Sequence, residues 1–161
     1  MEKLRLNMEL STSRDTTKEE LYHSTLLHQL NVRRCLNLFV EKIEDAIRDH
    51  DHTKVDENSR HINDDFYNML VNKEKNDWWK MHQNVERHHL TKPEYVQEDV
   101  NLIDVIEMIA DGFSAGVGRK GFYENWYGEF DKELLLKAFN NTIKLLEDQS
   151  LEVLGGSNEN I

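Results

Sequence analysis

The stretch TTKEELYHSTLLHQLNVRRCLNLFVEKIEDAIRD, residues 16–49, decides the fold class. It opens with Thr16 and Glu19, or Thr17 and Glu20, at the spacing of a capping box, which marks a helix start. From there to about Asp49 nothing breaks a helix. Leu21, Val32, Leu36, Phe39, Ile43 and Ile47, with apolar neighbours that widen the stripe, recur at steps built from three and four residues. That period predicts a long amphipathic helix with these residues turned inward.

Further helices follow on both sides of a single break. One is expected over about 56–72, with Ile62, Phe66, Met69 and Leu70 inward, and another over about 76–87 around Trp78, Trp79 and Met81. The only proline, Pro93, interrupts the pattern in T-K-P-E-Y (91–95). N-L-I-D-V-I-E-M-I-A-D-G (101–112) predicts a short buried helix with Asn101 as its cap. S-A-G-V-G-R-K-G (114–121) reads as a glycine-punctuated loop, and a last helix is expected over about 131–149. With one proline and seven glycines in 161 residues, long helices are favoured over a sandwich or barrel. The expected architecture is all-α, a compact single-domain bundle of about five to six helices. Residues 1–14 are expected as a flexible arm, 15–150 as the helical domain and 151–161 as a flexible tail.

A formal net charge of −11 makes duplex nucleic acid an unsuitable partner, because the average field repels phosphate. Cys35, the only cysteine, excludes an internal disulfide framework and reads as a small core residue. The N-terminal residues contain no signal-peptide run, and no segment reaches the ~20 apolar residues that span a bilayer. No membrane partner and a cytoplasmic setting are therefore expected.

The chemistry concentrates at R-D-H-D-H-T-K (48–54), where Asp49, His50, Asp51 and His52 precede Lys54. A solvated helix end and a corner of a metal site both fit this heptad. The choice turns on ligands arriving from elsewhere. His28 lies four residues before Val32 and eight before Leu36, on the apolar face of the first helix. H-Q-N-V-E-R-H-H (82–89) brings His82, His88 and His89. Adjacent histidines diverge by roughly 100° on a helix, so one of His88 and His89 faces a site unless the backbone leaves the helix there; His89 is preferred. Asp104, Glu107 and Asp111 share a face of a helix whose other residues are nearly all apolar, and buried carboxylates need compensating partners. Arg119 and Lys120, among glycines, fit an anion-contacting loop and an exposed turn equally. Trp78, Trp79 and Trp126 read as core aromatics before stacking platforms.

The order H … HD … H … HH … D resembles the HD-domain superfamily of metal-dependent phosphohydrolases over roughly residues 20–120. His28 with Val32 resembles that family's first element, H-D-H-T-K (50–54) its second and Asp111 its third; Thr53 stands where many members carry glycine. The block W-W-K-M-H-Q-N-V-E-R-H-H (78–89) also looks like small phage and bacterial proteins of unassigned function. The resemblance implies an HD-like fold, with His28, His50, Asp51 and Asp111 holding one ion and His82 and His89 a second. By their own chemistry Lys54 would offer a point charge to phosphate and Glu107 would carry a proton or brace a ligand. Catalytic work is therefore expected of Asp51, Lys54 and Glu107, and substrate contacts of Lys54, Arg119 and Lys120. The donor types suit one or two divalent transition ions (Mn, Fe, Co, Ni or Zn). The expected activity is hydrolysis of a nucleotide or related small phosphate ester by metal-activated water. A non-catalytic binding or regulatory protein on the same scaffold, such as a phage factor acting on a host protein, is the alternative reading. A di-iron oxygenase is a third, and a homodimer stays open.

Overall fold

The computed structural model describes residues 17–56, 61–122 and 130–154. The expected N-terminal arm, residues 155–161 of the expected tail, and Trp126 lie outside them. Among the described residues five α-helices form: α1 (Lys18–Asp49), α2 (Asp64–Leu70), α3 (Trp78–Val85), α4 (Leu102–Lys120) and α5 (Lys132–Leu154). Two short 3-10 turns cover His52–Lys54 and Pro93–Tyr95, and one antiparallel pair joins β1 (Val55–Asp56) to β2 (His61–Ile62). The fold is mostly helical, as the spacing predicts. None of the described helices is long and apolar enough to cross a membrane. By their internal contacts the residues fall into two units, Met1–Glu44 with Thr142–Ile161, and Asp45–Asn141.

The Thr17–Glu20 capping box starts α1. Thr17 N–H donates to Glu20 Oε2 at 2.9 Å, and Glu20 N–H donates to Thr17 Oγ1 at 3.1 Å. The helix then runs unbroken to Asp49. Its buried face differs from the expected one. Asn31 and Leu38, seven residues apart, are buried, whereas Leu21, Val32, Leu36 and Ile47 are 57%, 43%, 56% and 72% exposed. Periodicity reports that a helix is amphipathic, but which residues are covered depends on the neighbours it meets.

Residues 55–62 correct the second expectation. Instead of opening a helix at 56, the chain pairs Val55 with Ile62 and Asp56 with His61. The helix begins only after Asn63, whose side chain accepts from Phe66 N–H at 3.1 Å, while Asn63 N–H donates back to the Lys54 carbonyl at 2.9 Å. Ile62 and Leu70, expected inward, are exposed, and Phe66 and Met69 are half-buried.

The second unit gathers its core around α4. Leu90, Val100, Val105, Met108 and Ala138 are buried together, with Val96, Leu102, Phe130 and Leu134 packed against them. Asn141 on α5 donates to the carbonyls of Glu98 and Val100 at 3.0 and 2.9 Å. At the start of α4 a full capping box forms: Asn101 Oδ1 accepts from Ile103 N–H at 2.9 Å, and Asp104 Oδ2 accepts from Asn101 N–H at 2.8 Å. The loop expected over 114–121 is helical instead. Glycine inside a helix costs only about 1 kcal/mol, too little to stop a ladder already running. The helix ends where Gly121 adopts φ 77°, its N–H donating to the Val117 carbonyl at 2.9 Å.

Candidate metal centre

Helix α1 stops beside the site because Asp51 turns left-handed, with φ 56° and ψ 22°, a conformation that aspartate tolerates better than most residues. Glu86, 4% exposed, holds the turn in place. Its carboxylate accepts from Asp51 N–H at 3.2 Å, from Thr53 N–H at 3.0 Å and from the Thr53 hydroxyl at 2.7 Å. Three donors from one turn converge on one buried carboxylate, so Glu86 serves chiefly as the clamp of the His50–Lys54 segment. The Lys54 ammonium pairs with Asp51 Oδ2 in a short contact. His52 is exposed and its Nδ1 donates to the Asp49 carbonyl at 2.9 Å.

Helix α3 supplies His82 and then ends. Glu86 is extended at ψ 115°, so residues 86–90 leave the helix two residues earlier than expected. That exit removes the helical divergence between neighbours, and both His88 and His89 face the site. His89, the preferred ligand, is therefore joined by His88: His88 is fully buried and His89 half-buried. Trp78 stacks on the His82 ring at 4.6 Å and 16°, and Phe66 lies against Trp78 at 4.6 Å. Trp79 is exposed, with its ring 5.6 Å from His89.

Donor atoms of His82, His88 and His89 lie within 4.8 Å of one another, as do those of His50, Asp51 and His88, and those of Asp51, His82 and Glu86. Asp51 Oδ1 is 3.6 Å from His82 Nε2 and 3.7 Å from His88 Nε2. His82 Nε2 is 2.8 Å from His89 Nε2. His50 Nε2 stands 3.4 Å from Asp51 Oδ2 and 3.8 Å from Asp111 Oδ1. Two donors that share an ion at about 2.1 Å sit about 3.0–3.4 Å apart in octahedral or tetrahedral geometry, and these spacings bracket that range. Asp51 Oδ1 is buried and has no hydrogen-bond partner among the described residues.

The opposite edges of the rings are held by other groups. His50 Nδ1 and His88 Nδ1 donate to the same Glu107 oxygen at 2.9 and 3.0 Å. This anchoring leaves Nε2 of both rings directed at Asp51, as in metal-ligating histidines braced by a carboxylate. Burial pushes His82 down to about 3, with His89 adding to the effect, and pushes His89 down to about 4, with His88 adding. Both rings are therefore neutral at pH 7. Burial also lowers His88, but its hydrogen bond to Glu107 and the charges of Asp51 and Asp111 outweigh it and raise its pKa. For Glu107 burial works upward, yet the hydrogen bonds from His88 and His50 keep it below the ordinary value. Asp51 behaves likewise, with Lys54 outweighing burial.

The structure thus brings His50, Asp51, His82, His88, His89, Glu107 and Asp111 together, with Lys54 at the edge. The donor groups that lie close together are drawn from the second unit, and His28 is an exposed residue of α1 in the first. Arg119 and Lys120 are exposed in the last turn of α4 rather than in a loop. Asp104, which shares the face of Glu107 and Asp111, has its own cation: Arg87 grips it with two bonds of 2.7 and 2.9 Å and also reaches Asp99 Oδ1 at 3.0 Å. Sequence reasoning missed Glu86 as the clamp and left Thr53 as a mere departure from pattern. The spacing of four between His82 and Glu86 was the available signal, since it puts both on one helical face.

Fold and cluster together define a mostly helical protein whose histidines and carboxylates stand close enough to hold a metal ion. The chain belongs to the family described as a family of unknown function, DUF5662, which matches residues 17–154. No curated protein and no solved structure matches it.

Proposed function

We propose that the cluster around Asp51 holds one or two divalent transition ions (Mn, Fe, Co, Ni or Zn), and that the chain is a metal-dependent phosphohydrolase of HD type acting on a nucleotide or related small phosphate ester. The observation that carries this reading is Asp51 Oδ1, a buried carboxylate oxygen without a hydrogen-bond partner among the described residues, facing the Nε2 atoms of His82 and His88. Lone pairs converging in a buried pocket repel unless a cation or proton lies among them. Imidazole with carboxylate suits a borderline transition ion better than calcium, which takes an oxygen cage.

A bound ion of this kind supplies a Lewis acid and a water acidic enough to act near neutral pH. The protein's own contribution is positioning. Glu107 orients His50 and His88, Glu86 fixes the turn that presents Asp51, and Lys54 places a positive charge beside the cluster where a phosphoryl oxygen would sit.

The test is elemental analysis of protein purified without added metal, paired with hydrolysis of a general phosphoester, for wild type, His50→Ala and Asp51→Ala. Stoichiometric metal and turnover in wild type, both lost in the variants, are expected. Turnover that survives in both variants would overturn the mechanism. A second reading, a non-catalytic binding or regulatory protein, is favoured by the apolar row Ile106, Ile109, Phe113 and Val117, exposed along α4. Metal retention with no turnover on a broad nucleotide panel would select it.

A further inference from the structure

Thr53 touches both sides of the site. Its hydroxyl lies 2.7 Å from Glu86 Oε1 and 2.6 Å from His82 Nδ1. A hydroxyl has one proton to give and can accept as well. The Glu86 carboxylate accepts only, so the Thr53 proton goes there, and His82 Nδ1 must be the donor in the second bond. We infer that Thr53 is a positioning residue that locks His82 in its Nδ1–H tautomer and so keeps the Nε2 lone pair aimed into the metal site.

The consequence follows from the two ends of one ring. Which nitrogen of a neutral imidazole carries the proton is set by the hydrogen bond made by the other. With Nδ1–H held by Thr53, Nε2 is unprotonated: in the metal-free chain it accepts from His89 Nε2–H at 2.8 Å and lies 3.6 Å from Asp51 Oδ1. The ring itself is held flat by Trp78 on its face. His82 otherwise lacks the brace that Glu107 gives to His50 and His88. Thr53 takes that part for the third histidine, and Glu86 holds Thr53 through both its N–H and its hydroxyl. This role rests on the metal-site reading for its purpose, but the tautomer is a property of the metal-free chain.

The experiment measures the imidazole 15N shifts of His82 in chelator-treated wild type, Thr53→Val and Thr53→Ser, followed by zinc titration against a competing chelator. Wild type and Thr53→Ser should show a protonated Nδ1 and an unprotonated Nε2. Thr53→Val should lose that fixed pattern and bind zinc about 10–100-fold more weakly, the usual cost of removing a group that braces a ligand. An Nε2–H tautomer in wild type overturns the inference, and so does a Thr53→Val protein that keeps both the tautomer and the affinity. The wild-type spectrum decides the matter even if Thr53→Val fails to fold. Wild type that shows the fixed tautomer but takes up no zinc supports the role of Thr53 and sinks the metal reading instead.

Discussion

His82 is buried, His89 half-buried, and both are neutral, and that condition gives the metal-free chain a pH dependence of definite sign. In the unfolded chain each ring takes its proton near 6.5, whereas in the folded chain burial delays this to about 3 and about 4. Below 6.5 the unfolded state therefore binds more protons, and stability falls as the pH falls. His88 works the other way, since its raised pKa gives a stabilisation present in acid and lost as the pH rises through it. Asp51 and Glu107, held low, add losses only in stronger acid, as the pH falls through the ordinary carboxylate range. Two depressed imidazoles outweigh one raised one, so urea midpoints of the metal-free protein should drop between pH 7 and pH 5. A midpoint that rises over that range would show that these rings are not buried as neutral groups.

At the scale of an element, the start of α4 depends on one ion pair. Asp104 both caps the helix and accepts two bonds from Arg87, whose pKa the two aspartates raise further. Asp104 is buried, so removing its partner strands a carboxylate, whereas the Arg87 side chain is 36% exposed. The cost should fall between that of a surface pair, about 0–1 kcal/mol, and that of a broken buried pair, about 3–5 kcal/mol. Arg87→Met should accordingly lose about 2 kcal/mol in denaturant unfolding, and Asp99→Asn, which touches only the exposed arm of the guanidinium, much less. Equal losses in the two variants would place the strength of the contact at Asp99. The same helix also sits directly behind the site, because Glu107 lies three residues and Asp111 seven residues beyond Asp104.

For the whole molecule, a metal that binds the folded chain and not the unfolded one shifts the entire unfolding equilibrium. Ion at about 100 times its Kd adds about 2.7 kcal/mol. At about 2–4 °C per kcal/mol for a chain of this size, Tm should rise by about 5–10 °C. Zinc or manganese added to chelator-treated wild type should produce that rise, and Asp51→Asn should abolish it while keeping the side-chain shape. A rise of the same size in Asp51→Asn would move the binding site elsewhere. The overall charge of −11 favours the arrival of a cation and opposes an anionic phosphate ester, which leaves Lys54 as the positive group beside the cluster.

The sequence by itself determined what depends on neighbours along the chain. A 32-residue helix without a breaker, a capping box at Thr16–Glu19 or Thr17–Glu20, the Asn101 cap, and the concentration of histidine and carboxylate around 50–54, 82–89 and 107–111 all follow from local hydrogen bonds and periodicity. Tertiary structure alone decided what depends on groups far apart in sequence. The turn at Asp51 exists because Glu86 reaches it across 35 residues. His88 joins His89 in the site because the chain leaves α3 at Glu86, and Asp104 is satisfied by Arg87 rather than by a metal. The same holds for the face of α1 that is covered and for the glycines of α4 that stay helical. A backbone hydrogen bond or a helical stripe is written within a few residues, but the partner that neutralises a buried charge arrives through space, and spacing along one chain does not carry that information.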